Sequence, residues 1–249
     1  MSSILTTHVG SLPRSKELSE YLFAKDRGEK FNQSKFDDVL RDNIDRVVKK
    51  QIDVGIDFVS DGEMSKISYA TYIKDRIDGF SGESERRAPA DLDDFPEYKE
   101  KIAKSGGTPT YTRPCCTNEL KLKDEKSLLN DINNFNTTLK KYNHHNAFLN
   151  AASPGVINIF MPNKFYKSEE EYLDQLSIIM AKEYEAITKS NIHVQLDCPD
   201  LALARHMNFK SLSENEFIKR AELQIECLNS ALSNVDIDQT RMHICCGNY

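Results

Sequence analysis

Hydrophobic residues between positions 36 and 52 recur every three to four residues, which is the spacing of one face of an α-helix. Gly55 follows this stretch, and residues 56–60, which include three apolar residues, then lead into the turn Asp61-Gly62-Glu63. Such a segment, bounded by turn residues, is typical of a short strand. The pattern therefore predicts a helix that leads into a strand.

The same order of a helix and then a strand recurs twice towards the C-terminus. Each of these helices is preceded by a serine with a glutamate three residues later, which is the spacing of a capping box. The two pairs are Ser168 with Glu171 and Ser213 with Glu216. Strands are predicted after the two helices at residues 192–197 and 242–246. Together these patterns indicate repeated helix–strand units.

Weaker patterns complete the series. They predict a first strand at residues 4–9, another around 110–116, a helix at 128–139 and a strand at 147–151. About six strands then alternate with helices, and this alternation indicates a parallel sheet.

The first strand runs into Val9-Gly10-Ser11-Leu12-Pro13, which contains neither a dinucleotide-binding G-x-G-x-x-G motif nor a P-loop. We therefore favour a (β/α)₈ TIM barrel over an open Rossmann-type sheet. A complete barrel has eight strands. We thus expect residues 1–249 to form a single barrel domain with about six β/α units, incomplete at its C-terminus.

The segment of residues 82–114 does not fit the repeat. It is rich in charge, proline and glycine, and it is longer than an ordinary connection. We interpret it as an inserted loop with a short helical piece at 97–104. It is either a solvated insertion or a lid over the mouth of the barrel.

Charge and composition narrow the class of protein. The chain has 33 Lys and Arg against 39 Asp and Glu, a net charge of -6, and no local basic cluster, so nucleic acid is not an expected partner. No apolar run is long enough for a membrane helix, and the N-terminus does not resemble a signal peptide. We therefore expect a cytoplasmic protein whose six cysteines are reduced and available for metal or nucleophile chemistry.

His243 and Cys245 lie two residues apart at the end of the last predicted strand. Side chains at this spacing share one face of a strand, so both are expected to point into the barrel. An imidazole and a thiolate can bind one Zn²⁺, although a catalytic zinc needs a third protein ligand. The alternative interpretation is a core histidine beside buried cysteines, because this motif is weak on its own.

Two carboxylates also lie at strand ends. Asp197 ends the fifth predicted strand and Glu63 ends the second, where together they could bind a cationic group of a substrate. Alternatively, Asp197 caps the turn at Pro199 or pairs with Arg205, and Glu63 is an exposed turn residue. These alternatives stay open at the level of the sequence.

Gly10 and Ser11 close the first predicted strand. Their backbone N–H groups and the serine hydroxyl could hold a carboxylate or a phosphate. A plain turn at Pro13 is an equally good interpretation.

Four motifs occur in an order that resembles a known family. They are Thr7-His8-Val9-Gly10-Ser11-Leu12-Pro13-Arg14, Ser60-Asp61-Gly62-Glu63, Gln195-Leu196-Asp197-Cys198-Pro199 and His243-Ile244-Cys245. Together they resemble the catalytic barrel of the cobalamin-independent methionine synthase family, in its short form with a single barrel. The resemblance runs from the first residues of the chain to the last.

The resemblance implies a zinc-dependent S-methyltransferase that moves a methyl group from a methylated folate, or another donor, to homocysteine. His243 and Cys245 match two zinc ligands of the family, and its remaining ligands, a Glu and a Cys, are expected beyond Tyr249. Glu63 and Asp197 match the positions that hold the ammonium group of homocysteine. Gly10 and Ser11 match the site of its carboxylate.

Two other interpretations remain. A related zinc enzyme could alkylate a different thiol, as epoxide:coenzyme M transferases do, but a sulfonate thiol calls for Arg or Lys rather than an acidic pair. The chain could also be a non-catalytic barrel fragment, or a subunit completed by a partner, because six strands leave an exposed sheet edge. The sequence does not determine the methyl donor or the oligomeric state.

Overall fold

The computed structural model describes residues 4–85, 90–104 and 111–245 of the chain, except for the side chains of 91 and 102–104. The elements in chain order are α1 (Lys16–Asp26), α2 (Gln33–Asp53), β1 (Val59–Ser60), β2 (Ile77–Ser81), α3 (Pro96–Lys104), β3 (Cys115–Leu122), α4 (Lys126–Lys141), β4 (Ala147–Ala152), α5 (Pro154–Phe160), α6 (Glu169–Thr188), β5 (His193–Asp197), α7 (Ala204–Met207), α8 (Glu214–Ala231) and β6 (Thr240–His243). Short 3₁₀ turns lie at Tyr72–Asp75, Ala90–Asp94, Pro199–Leu201 and Ile237–Gln239.

The main sheet is parallel, with the strand order β1-β4-β5-β6. A single parallel bridge between Thr7 and Phe58 adds the N-terminal segment beside β1. Every residue of β4 is buried, as expected for a parallel strand that is covered on both faces. The sheet and its helices therefore form the mixed α/β architecture of a barrel, and they bring the carboxyl ends of the strands to one edge.

The core lies between this sheet and the helices that follow each strand. α6 packs against α8 and α5, and α2 packs against α4 and α1. The largest fully buried side chains include Phe135, Phe148, Tyr172 and Tyr184. The Tyr184 hydroxyl donates a hydrogen bond of 2.7 Å to the backbone oxygen of Ala152, which fixes α6 to the end of β4.

Most of the predicted helices and buried strands are present. The helices predicted at 36–52 and 128–139, and those that follow the two serine–glutamate pairs, correspond to α2, α4, α6 and α8. The strands predicted at 147–151 and 192–197 are β4 and β5. The expected first strand at 4–9 is present only as the bridge at Thr7, and the strand expected at 56–60 is limited to β1.

One of the two predicted capping boxes is complete. Ser213 and Glu216 bind each other's backbone N–H groups at the start of α8. At the start of α6, Ser168 accepts a hydrogen bond from the N–H of Glu171. The carboxylate of Glu171, however, accepts from the N–H of Lys167 rather than from Ser168, so the second box is only half formed.

The strand predicted around 110–116 is wrong as part of the parallel sheet. The observed strand β3 begins at Cys115 and pairs in antiparallel fashion with β2, in a separate two-stranded sheet, so that β1 pairs directly with β4. The pairing has an irregularity at Gly79, whose φ is +110°. A Cβ there would come within 2.8 Å of the Glu119 carbonyl oxygen, so the hairpin depends on a glycine, which usually weakens a strand prediction.

The last strand also differs from its prediction at 242–246. β6 begins at Thr240, which pairs with Val194, and it ends at His243. Cys246 lies outside the described residues.

Parts of the expected inserted loop, 86–89 and 105–110, likewise lie outside the described residues. The described parts include α3, which matches the expected helical piece, and a backbone hydrogen bond of 2.6 Å from Ser84 to Arg113. None of the helices in the described ranges is long and apolar enough to span a membrane.

Candidate functional site

A cavity of about 640 Å³ opens at the carboxyl ends of the parallel strands. It is lined by His8, Val9, Gly10, Ser11, Glu63, Tyr69, Tyr111, Phe160, Asp197, Pro199, Leu203, Met207, His243 and Cys245. All six residues singled out in the sequence are among them. The fold thus brings together side chains that are separated by as many as 235 positions in the chain.

The turn Asp61-Gly62-Glu63 places its glutamate in the cavity through an unusual backbone. Gly62 has a φ of +66° and Glu63 a φ of +56°, both in the left-handed region. The Asp61 carboxylate accepts a hydrogen bond of 2.9 Å from the Glu63 N–H, and the Gly62 carbonyl accepts one of 3.1 Å from Leu12. A strained non-glycine residue of this kind persists only when its surroundings hold it, and it is common at functional sites.

Arg14 secures the same turn from the other side. One of its guanidinium nitrogens, Nη2, donates hydrogen bonds to the backbone oxygens of Glu63, at 2.8 Å, and of Lys66, at 2.7 Å. Burial lowers the pKa of the Arg14 guanidinium, and the nearby carboxylates of Glu63 and Asp61 raise it. The last residue of the Thr7–Arg14 motif therefore positions the Ser60–Glu63 motif.

The Glu63 carboxylate is buried in the wall of the cavity. The residue is only 4% exposed, so the interpretation of Glu63 as an exposed turn residue is wrong. Within the described ranges its carboxylate accepts no hydrogen bond, and the groups that act on it are charges at a distance. Burial is the largest influence and raises the pKa of Glu63 to about 7; Lys66 lowers this pKa, and Asp197 raises it.

Asp197 is equally buried but is well supplied with donors. Its carboxylate accepts hydrogen bonds of 3.0 Å from the Asn150 amide and of 3.0 Å from the Gln195 amide. Nδ1 of His243 lies 3.2 Å from the Asp197 Oδ1 atom. The alternative pairing with Arg205 does not form, because that guanidinium lies over the ring of Phe217.

His243 and Cys245 both line the cavity, and neither is buried in the core. Met242, which precedes His243, and Ile244, which lies between the two, are 48% and 52% exposed, which agrees with the expected alternation along the strand. The hydrogen bond with Asp197 raises the pKa of His243. Because Asp197 contacts Nδ1, the other ring nitrogen, Nε2, is the one positioned to bind a ligand or a metal ion.

The imidazole of His243 and the thiol of Cys245 are donor types that suit zinc, but two donors are too few for a zinc site. An imidazole oriented by a carboxylate, beside a cysteine, is a common arrangement at zinc sites. Across residues 4–85, 90–104 and 111–245, however, no three His, Cys, Asp or Glu side chains are grouped closely enough to hold a metal ion. The described residues therefore offer only His243 and Cys245 as candidate ligands at this point and do not form a metal site by themselves.

Gly10 and Ser11 line the cavity close to Glu63. A Cβ on Gly10 would be 3.6 Å from the Glu63 Oε1 atom, so the loop and this carboxylate are in close proximity. Ser11 is exposed at the rim, and Nε2 of His8 lies 3.5 Å from its backbone oxygen.

One wall of the cavity is aromatic, which the sequence pattern does not predict. Tyr69, Tyr111 and Phe160 line it, and the rings of Tyr69 and Phe160 meet edge to face with centroids 5.6 Å apart. These residues lie in loops or at the end of a short helix, where no periodicity marks them. Asn150 was also missed, because a single asparagine within an apolar strand gives no signal of its partners.

Comparison with known proteins is consistent with this geometry. Residues 4–90 match the family model of the cobalamin-independent synthase catalytic domain. A methionine synthase of Sulfolobus acidocaldarius is 24% identical over 246 residues, which cover 98% of this chain and 62% of that protein. A 5-methyltetrahydropteroyltriglutamate–homocysteine methyltransferase of Bifidobacterium longum is 32% identical over 75 residues, 30% of this chain and 10% of that protein.

Among solved structures, the B12-independent methionine synthase of Shewanella sp. W3-18-1 matches with a TM-score of 0.67 and 18% identity, over 97% of this chain and 61% of that one. This match shows the fold, which is that of an α/β barrel. The resemblance to the cobalamin-independent methionine synthase family that the four motifs predict is thus confirmed by the match of residues 4–90 and by relatives similar over 98% of the chain. The chain spans 62% of the length of the Sulfolobus relative.

Proposed function

We propose that the cavity binds L-homocysteine and that the chain carries the amino-acid site of an S-methyltransferase that makes methionine. The observation that supports this most strongly is the Glu63 carboxylate, which is buried at 4% exposure and accepts no hydrogen bond within the described ranges. A buried acid without a partner is costly for the fold. A substrate ammonium group would supply the missing donor.

The other residues of the cavity suit the remaining parts of an α-amino acid. Asp197, at the end of β5 and in the lining of the same cavity, gives the ammonium group a second carboxylate. The backbone and hydroxyl of Gly10 and Ser11 offer donors to the substrate carboxylate. The Shewanella neighbour was solved in complex with selenomethionine, which has the same α-amino acid groups and a methylated chain-end atom.

We further propose that His243 and Cys245 hold a zinc ion together with donors from outside the described residues. Bound zinc would lower the pKa of the substrate thiol, so that the sulfur is a thiolate at neutral pH. Asp197 orients the His243 ring by contacting Nδ1, at 3.2 Å. The same carboxylate thus serves the ammonium site and the metal site.

The methyl donor would approach from the aromatic wall. Tyr69, Tyr111 and Phe160 present apolar and aromatic surface to the cavity, which suits a planar heteroaromatic group such as that of a methylated folate. Another methyl donor of similar shape would fit the same wall. The Bifidobacterium relative is named for transfer from a methylated folate to homocysteine.

The acidic character of the cavity favours homocysteine over a sulfonate thiol. Among the described residues that line it there is no lysine or arginine, whereas Glu63 and Asp197 both do so. A sulfonate would face two carboxylates without a cation. This observation weighs against the epoxide:coenzyme M transferase alternative.

Calorimetric titration of the zinc-loaded chain tests the proposal. L-homocysteine should bind, whereas 2-mercaptoethanesulfonate and 3-mercaptopropionate, which lack the ammonium group, should bind at least about tenfold more weakly. Glu63→Gln should weaken L-homocysteine binding about 10- to 100-fold, because a charge-assisted hydrogen bond is lost, and should leave 3-mercaptopropionate unaffected. The matched control is Glu119→Gln, at an exposed glutamate on β3. Equal affinity of wild type and Glu63→Gln for L-homocysteine would contradict the proposal.

A further inference from the structure

Two amide side chains lie beneath the cavity and have no role in the function proposed above. Asn150 on β4 and Gln195 on β5 are paired in register across the parallel sheet. They are 2% and 1% exposed. Two buried amides side by side are costly to the fold unless their hydrogen-bonding groups are satisfied.

Both amides donate to the same two acceptors. The backbone oxygen of Val9 accepts hydrogen bonds of 3.2 Å from Asn150 and 2.8 Å from Gln195. The Asp197 carboxylate accepts from both amides, at 3.0 Å in each case. A side-chain NH₂ group has two hydrogens, so each amide uses one for each acceptor. Because both acceptors lack hydrogens, the nitrogen and not the oxygen of each amide must face them.

The two acceptors belong to different parts of the amino-acid site. Val9 immediately precedes Gly10 and Ser11, the proposed carboxylate side, and Asp197 is on the ammonium side. On the far side of the loop, the Leu12 N–H bonds to the Gly62 carbonyl at 3.1 Å. The two amides therefore link the near end of the Gly10–Ser11 loop to Asp197.

Asn150 also contacts the third segment of the site through its backbone. Its carbonyl oxygen accepts a hydrogen bond from the ammonium group of Lys66, which follows the Glu63 turn. The Lys66 ammonium group also lies 4.1 Å from the centre of the Tyr72 ring. Asn150 is thus a common neighbour of the loop, of Asp197 and of the segment that carries Glu63.

We propose that Asn150 and Gln195 are positioning residues that hold the Gly10–Ser11 loop at a fixed distance from Asp197. Neutral amides suit this task because they donate hydrogen bonds to Asp197 but carry no positive charge that would compete with a cationic ligand. A fixed spacing of donors and carboxylate selects ligands that carry a carboxylate and an ammonium group on one carbon. The identity of that ligand as an α-amino acid rests on the proposed function, whereas the positioning of the loop does not.

Hydrogen exchange tests the positioning without any ligand. In the full chain, Asn150→Leu and Gln195→Met should each speed exchange of the Leu12 amide at least about tenfold, relative to amides in the centre of β5. The matched control is Gln224→Met, at an amide on α8 that is 2% exposed and has no hydrogen-bond partner among the described residues. It should leave Leu12 unchanged. Unchanged exchange in the two folded variants would overturn the proposal.

A wild-type measurement covers the case in which the variants do not fold. The side-chain NH₂ groups of Asn150 and Gln195 should exchange at least about 100-fold more slowly than those of exposed amides. Exchange at the rate of exposed amides would overturn the positioning role.

Ligand selectivity tests the second half of the proposal. Asn150→Leu should weaken L-homocysteine binding at least about tenfold and change 2-mercaptoethanol binding less than about twofold. Equal weakening of both thiols would overturn the selectivity role. If wild type does not bind L-homocysteine, the proposed function fails, while the exchange measurements still decide whether the amides position the loop.

Discussion

Glu63 and Glu183 are buried to the same extent, at 4% exposure each, but their surroundings are opposite. Glu183, on α6, accepts hydrogen bonds of 2.9 Å from Arg76 and 2.5 Å from the Tyr72 hydroxyl. Arg76 donates in turn to Asp131 at 2.6 Å. Glu63 lines the cavity at the strand ends and accepts no hydrogen bond within the described ranges.

The difference separates an acid that is paired within the fold, Glu183, from one that we propose binds a ligand, Glu63. The charge of Glu183 is balanced within the protein by Arg76, so it ties α6 to the segment after β1. The charge of Glu63 is opposed by burial and by Asp197, and Lys66 offsets this only in part. Burial alone does not distinguish the two residues. The missing hydrogen-bond donor is the observation that supports the proposal of Glu63 as a site for an external cation.

The largest expected effect is the loss of stability when Glu183 is replaced. Glu183→Ala leaves the buried Arg76 guanidinium with Asp131 as its one ion-pair partner among the described residues, so the free energy of unfolding should fall by about 3–5 kcal/mol. Urea denaturation followed by circular dichroism measures this loss. A loss below about 1 kcal/mol would contradict a structural role for Glu183 that Glu63 lacks.

Glu63→Gln is expected to stabilise the ligand-free protein at neutral pH, whereas Glu183→Ala destabilises it. Because burial raises the pKa of Glu63 from 4.5 to about 7, the folded chain keeps this proton longer than the unfolded chain does. Wild-type stability should therefore fall as the pH rises from about 4.5 to about 7, by about 3 kcal/mol in total. The variant, which cannot ionise there, should lack this fall.

Thermal or urea unfolding of both proteins between pH 4 and pH 8 measures the difference. Groups that do not interact with Glu63 titrate alike in both proteins and cancel in the comparison. Parallel stability curves would mean that Glu63 is not held in an unfavourable environment.

Gly62→Ala tests the backbone turn that places the Glu63 side chain in the cavity. A Cβ at Gly62 would lie 2.9 Å from the Leu12 Cβ atom, in addition to the strain at a φ of +66°. We expect a loss of about 2 kcal/mol, measured by urea unfolding. The control is Gly28→Ala, where φ is +68° but nothing lies within 4 Å of the new Cβ, and about 1 kcal/mol is expected. Equal losses would exclude a steric role for Gly62.

The smallest effect is expected for Tyr72→Phe. The change removes one of the two hydrogen bonds to Glu183 and leaves Arg76 in place, so about 1 kcal/mol of stability should be lost. Tyr98→Phe, at a tyrosine on α3 that is 45% exposed, should change stability by less than about 0.5 kcal/mol. If Tyr72→Phe loses as little stability as the control, the hydrogen bond from the Tyr72 hydroxyl to Glu183 does not contribute to stability.

The sequence predicts the location of Glu63 and its cavity neighbours better than the pairing of Glu183 with Arg76. Glu63, Asp197, His243 and Cys245 lie at or next to strand ends, and parallel strands bring such ends to one edge. Glu183 is only one charged interruption on the face of a predicted helix. Its partner Arg76 lies 107 positions away, so nothing local reveals the pair.

The same reasoning explains the other misses. Asn150 depends on Val9 and Gln195, which are distant in sequence, and its meaning comes only from the register of β4 and β5. β2 was not predicted, because Gly79 interrupts it, and the strand predicted around 110–116 was therefore assigned to the parallel sheet. Local pattern identifies elements and strand ends, whereas hydrogen-bond partners between distant segments become visible only in the fold.

The most direct test of the central claim is the pKa of Glu63 itself, measured by ¹³C NMR of side-chain carboxyl groups with and without L-homocysteine. The Glu63→Gln variant assigns the signal. The account predicts a pKa of about 7 in the ligand-free protein, because the carboxylate is buried without a donor. It also predicts a fall of at least about one unit when the substrate ammonium binds. A normal pKa in the ligand-free protein, or one that does not change when L-homocysteine binds, would contradict the assignment of Glu63 as the ammonium site.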